Sequence, residues 1–201
     1  LINDGQHRRK AIEIAIKEAH ELGYDNIPVL FFIDEGLKRS QQMFADLNKH
    51  AVRPSDSLGT LYDQRDPSSE LARYVYNKVE CFNKLTDLEH SSLSRRSSML
   101  FTLSSLKLAS RSLLNKSPKE QISESEMQLA ADYWTVVCEN MPDWQAALDK
   151  KIATSDLREH QIHAHGIGLH ALGCAGVDLL AQKPGSWKES IWALKEIDWR
   201  R

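Results

Sequence analysis

Apolar positions recur along most of this chain at helical intervals. Ile12, Ala15, Ile16, Ala19 and Leu22 fall at i, i+3, i+4, i+7 and i+10, the buried face of an amphipathic helix. Asp4 is placed to cap that helix and Gly23 to end it. "NIPVLFFID" then breaks the period. It is an apolar, β-rich run bounded by Pro28 and Asp34-Glu35-Gly36, which predicts a buried strand. Helical spacing returns through Leu37, Met43, Phe44 and Leu47, and Leu1-Ile2 reads as the tail of another strand. The order strand–helix–strand–helix predicts a small mixed sheet. After the loop-rich "RPSDSLGTLYDQRDPSS", strand signals nearly vanish. Helices are predicted over 70–82, 93–114, 123–140 and 156–181, with Pro118, Pro142 and Pro184 at the breaks. The expected fold is α+β and predominantly helical: a small α/β part over 1–66, followed by an all-helical part over 67–201.

Composition narrows the class without changing this picture. At 201 residues, 41% hydrophobic and 27% charged, the chain can bury a core as one sizeable domain or two small ones. A net charge of −2 means that any basic surface must be local. Cys81, Cys138 and Cys174 are odd in number and lack metal-ligand spacing, which suits small core residues in a reducing, cytoplasmic setting. No apolar run reaches the roughly 18–20 residues that span a bilayer. The chain starts at Leu1 rather than Met and stops at "DWRR", so it reads as part of a longer protein.

Chemistry concentrates in two places. The first is "NDGQHRR" at the mouth of the first helix. Helix N-termini favour negative charge, and a glycine such as Gly5 lets a ligand approach the backbone. Arg8 offers a bidentate fork for phosphate, and His7 a hydrogen bond or a switchable charge. Asp4 opposes an anion unless it caps the helix, pairs with an arginine or holds a bridging metal ion. Alternatively Asp4 caps, the arginines are solvated and His7 is incidental. The second place is 91–119, with six basic residues (Arg95, Arg96, Lys107, Arg111, Lys116, Lys119) and no acidic one. On a continuous helix Arg96, Lys107 and Arg111 would share a stripe. Serines such as Ser94 beside the arginines suit phosphate oxygens. The competing reading is a solvated face paired with acids from the last third of the chain. "REHQIHAHGIGLHALGCAG" carries His160, His163, His165 and His170 but matches no ligand grammar, so tight helix packing is the expectation and no metal site is assigned.

"DGQHR" opening a small-residue helix resembles the signature of the DGQHR-domain proteins. "SQQMFADLNKHAVRPSDSLGTLYDQRD", "SSLSRRSSMLFTLSSL" and "ALKEIDWRR" resemble the DndB branch, associated with DNA phosphorothioation (sulfur modification) gene clusters. The likeness runs along essentially the whole chain. It implies that family members continue on both sides of this sequence. More distantly, "GQHR" is similar to the Gly-Cys-His-Arg element of sulfiredoxins and the Gly-Glu-Arg-Arg element of ParB proteins, which cradle nucleotide phosphates. This implies a ParB/sulfiredoxin-like α/β part. Gln6 stands at the sulfiredoxin nucleophile position, so cysteine-based chemistry is not supported and no catalytic residue is assigned. "DLNKHAVRP" is similar to the second ParB nucleotide box. That places Asn48 beside Asp4, Gly5, Gln6, His7 and Arg8 as phosphate-binding residues, with Asp46 near the same pocket and Mg²⁺ held by oxygen ligands; the alternative is that Asn48 caps the second helix.

Two functions follow from the resemblance. One is a cytoplasmic regulator that binds double-stranded DNA at the promoter of the modification genes, through Lys49, Arg53, Ser94, Arg95, Arg96, Lys107 and Arg111. The other is a nucleotide switch, in which the DGQHR pocket takes an NTP with Mg²⁺ and hydrolyses it slowly or not at all. Self-association and contact with the sulfur-modification proteins, through the Trp-rich C-terminal helices, are further expectations.

Overall fold

The computed structural model describes residues 5–31, 33, 36–49 and 54–201, without the side chains of 47–49. Asp4 and Arg53 lie outside the described residues, as do the side chains of Asn48 and Lys49. The chain forms two compact units, Leu1–Arg53 and Pro54–Arg201.

The first unit contains α1 (Gln6–Glu18), a 3-10 turn over His20–Tyr24, and α2 (Leu37–Lys49). The N-cap of α1 is Gly5 rather than Asp4, held at φ 94°, a left-handed conformation that glycine adopts without steric cost. The helix ends at Glu18, before Gly23. Its apolar face is present but shallow, with Ile12, Ala15 and Ile16 half-buried. The strand expected over "NIPVLFFID" is not formed at residues 26–31 or at Ile33. Val29, Leu30, Phe31 and Ile33 are exposed there. The other expected strand, Leu1-Ile2, lies outside the described residues.

The second unit is helical: α3 (Asp56–Tyr62), α4 (Pro67–Lys78), α5 (Glu80–Leu85), α6 (Leu103–Leu113), α7 (Glu124–Glu139), α8 (Pro142–Leu148), α9 (Thr154–His160), α10 (Gly166–Gln182) and α11 (Trp187–Ile191). Between α5 and α6, β1 (Thr86–Asp87) pairs in parallel with β2 (Phe101–Thr102), in the part expected to be all-helical. Three predicted helices are corrected. The 70–82 segment divides at Val79, whose extended backbone separates α4 from α5. The 93–114 segment is irregular up to Leu100 and becomes helical only at Leu103, where Thr102 and Ser105 form a capping box. The 156–181 segment breaks between α9 and α10, with a 3-10 turn at Ile162–Ala164.

The core is aromatic. Phe82 meets Phe101 and Trp134 edge-on at centroid distances of 5.8 and 5.6 Å, and Phe101 meets Trp144 at 5.0 Å. Their polar handles are satisfied: Trp134 Nε1 donates to Ser110 Oγ (3.0 Å), Trp144 Nε1 to His163 Nδ1 (2.9 Å) and Tyr133 OH to the Leu172 carbonyl (2.7 Å). Helices α6 and α10 lie against each other. A Cβ on Gly173 would run into the Ala109 carbonyl, so glycine is what allows that approach. No helix among the described residues is long and apolar enough to cross a membrane.

Candidate functional site

The arginine pair owes its placement to a turn. The Ser97 N–H donates to the Ser94 carbonyl (3.0 Å), which puts Arg95 and Arg96 at the two central positions of a β-turn. Both side chains are exposed, and so is Ser94. The turn does not stand alone, because α9 holds it. Arg158 Nη1 donates to the Met99 carbonyl (3.0 Å), and its Nη2 to the carbonyls of Arg95 (3.1 Å) and Ser97 (3.0 Å). Thr154 Oγ1 adds a second bond to Ser97 O (2.9 Å). The planar guanidinium thus acts as a tertiary cap for carbonyls that no helix or sheet satisfies. Nothing in the sequence marks Arg158 for this role, since its three acceptors lie about sixty residues away.

Behind the turn lies a cleft of about 580 Å³. Its lining includes Ser91, Ser92, Ser94, Arg95, Ser105, Glu159, His165 and Gly166. Arg95 reaches across it towards Glu159 at 3.3 Å. His165 Nε2 lies 2.7 Å from the Arg158 carbonyl, to which it donates, and the start of α10 opens onto the same space.

The other candidate DNA contacts separate from this pair. Lys107 on α6 is half-buried and forms an ion pair with Asp66, and its Nζ donates to Ser69 Oγ (3.0 Å). Burial alone would raise the Asp66 pKa. Hydrogen bonds from Lys107, Ser69 and the Ser68 N–H outweigh it and hold the carboxyl below its usual range. Lys107 therefore fastens α6 to the N-terminus of α4. Arg111 is half-buried on α6, one turn beyond Lys107. The single basic stripe that one continuous helix would have made is absent, because Arg95 and Arg96 sit on the turn and Lys107 and Arg111 on the helix.

At the mouth of α1, Gln6, His7 and Arg8 are exposed, and the Arg8 guanidinium folds back over Gly5. The exposed helix start, its left-handed glycine and the neighbouring guanidinium suit a phosphate group. Asp46 of α2 accepts a hydrogen bond from Gln42 Nε2 (2.8 Å).

The histidines divide by environment. His163 is fully buried: Nδ1 accepts from Trp144, and Nε2 donates to Asp143 Oδ2 (2.9 Å), which fixes the tautomer. Burial pushes its pKa below the usual histidine value, and the hydrogen bond to Asp143 only partly opposes this. With both nitrogens engaged, the ring is structural. His170 Nε2 lies 3.0 Å from Ser112 Oγ, linking α10 to α6. Among the described residues, no three His, Cys, Asp or Glu side chains gather as a metal site would require.

No curated protein and no solved structure matches the chain. A family model described as DndB, DNA-sulfur modification-associated, matches residues 1–201. Matched over its whole length, the chain belongs to the DndB family of DNA-sulfur-modification-associated proteins.

Proposed function

We propose that this chain is a DNA-binding transcriptional regulator of the DNA phosphorothioation genes, contacting the duplex backbone through Arg95 and Arg96. The observation that carries this reading is the clamped turn: two adjacent exposed guanidiniums, flanked by Ser94 and Ser97, on a backbone pinned at three carbonyls. Fixed cations and short hydroxyls position a duplex by its phosphates without reading its sequence. The family's association with DNA sulfur modification makes DNA the polymer to test first. Fluorescence anisotropy with a duplex from the promoter of the modification genes, over about 0.05 to 0.2 M salt, is the experiment. Arg95→Ala with Arg96→Ala should weaken binding and lower the salt slope by about two. Unchanged affinity and slope in the double variant would remove this turn from the interface.

A second reading concerns the first unit, where the Arg8 guanidinium lies over the Gly5 cap at the start of α1. In that reading the mouth, with Asn48, holds a nucleoside triphosphate with Mg²⁺, and binding modulates DNA affinity. Titration calorimetry with ATP and with CTP, each with Mg²⁺, should give heat that Arg8→Ala abolishes. Equal heats from the parent and Arg8→Ala, or none from either, would exclude it.

A further inference from the structure

The cation facing the cleft is covered by a carboxylate that holds it poorly. Both Glu159 oxygens lie 3.3 Å from the same Arg95 Nη2. A well-seated oxyanion would instead take two nitrogens of the fork at roughly 2.7–2.9 Å. The two side chains are 85% and 52% exposed, so water and salt screen the pair. Ser91, Ser92, Ser94 and His165 line the cleft around it, whereas the Ser105 hydroxyl is spent on the Thr102 backbone. Arg158 is committed to three carbonyls, which leaves Arg95 as the guanidinium that faces this space. The volume of about 580 Å³ is that of a small-molecule site, larger than one carboxylate fills. Of Phe, Tyr and Trp only Phe101 belongs to the lining, and at 1% exposure it offers no face on which a base could stack.

We infer that this cleft binds a phosphate group, and that Glu159 is its resident competitor. A phosphate oxygen replaces the Glu159 carboxylate on Arg95, and the hydroxyls of Ser91, Ser92 and Ser94 donate to the remaining oxygens. The phosphate comes from the duplex backbone or from a free phosphate ester. The inference rests on the DNA-binding reading for the first of these sources only. Because Glu159 repels the incoming anion and occupies its partner, removing its charge strengthens binding, whereas removing Arg95 abolishes it.

The test is titration calorimetry of the intact chain with inorganic phosphate and with ribose 5-phosphate, at constant ionic strength. Saturable binding is expected, tightened about two- to fivefold by Glu159→Gln and lost in Arg95→Ala. Both positions are exposed, and circular dichroism of each variant verifies that it folds. No binding by the parent or by Glu159→Gln overturns the inference, as does binding that Arg95→Ala leaves intact. Anisotropy with duplex DNA then separates the sources. Phosphate that displaces the duplex, beyond a chloride control, shows that the backbone enters the cleft; phosphate that binds without displacing it identifies a free ester. The two readings fail separately. Phosphate binding without duplex binding removes the DNA reading alone, and duplex binding without phosphate binding removes this inference alone.

Discussion

At the scale of single residues, two side chains set what the second unit can do. Arg158 is a positioning residue: it touches only backbone carbonyls, yet it fixes where Arg95 and Arg96 point. Arg158→Ala should leave both turn arginines in place while the turn loosens. Hydrogen bonds from charged donors contribute about 1.5–3 kcal/mol each when buried, and less here, where the group is part-exposed. Hydrogen exchange should accelerate at Ser97, the turn-closing amide, and DNA affinity should fall. Arg158→Lys keeps the charge but not the fork, so it should not restore affinity; full restoration by lysine would show that charge, not positioning, matters. His163 contributes a pH dependence. Its folded pKa lies below its unfolded value near 6.5, so the unfolded chain binds more protons as pH drops. The stability it contributes is present above that value and declines as pH falls towards the lowered folded pKa. Urea midpoints between about pH 7.5 and about pH 5.5 should decrease, and His163→Gln should flatten that slope. A slope that the substitution leaves unchanged would assign the effect to another group.

At the scale of elements, the α6–α10 contact shows why glycine recurs along α10. Alanine at position 173 would gain up to about 1 kcal/mol of helix propensity. Its methyl would, however, meet the Ala109 carbonyl, a backbone atom that cannot rotate away, and overpacking of this kind costs about 1–3 kcal/mol. Gly173→Ala should therefore lower the urea midpoint. Gly185→Ala, where a methyl meets nothing within 4 Å, should change stability by less than about 0.5 kcal/mol. Gly166, Gly168, Gly173 and Gly176 made close packing of this helix legible in advance, and the helix expected over 123–140 is α7, Glu124–Glu139. The 93–114 segment was misread for a physical reason. Leu93, Leu100 and Leu103 have helical spacing, but Leu100 donates its N–H to the Leu85 carbonyl, a long-range bond that local propensity does not encode. The basic pair was visible as composition. Its clamp was not, because the bonds from Thr154 and Arg158 to the turn carbonyls exist only after folding.

At the scale of the whole chain, the described parts of the two units differ in what they bury. No described residue of Leu1–Arg53 is fully buried, whereas Pro54–Arg201 contains the entire aromatic cluster and all five tryptophans. A core of that kind supplies the cooperativity of a folding unit, since burying each large aromatic or aliphatic side chain contributes about 1.5–3 kcal/mol. A fragment of residues 54–201 should therefore fold alone, with one tryptophan-fluorescence transition in urea close to that of the intact chain. The same fragment carries Arg95, Arg96 and Arg111 but lacks Lys49 and Arg53. If the clamped turn dominates DNA contact, deleting the first unit should lower the salt slope of duplex binding by no more than about two, the share of those two cations. A fragment that folds but loses the whole slope would move the interface to the first unit, and with it the assignment of the turn.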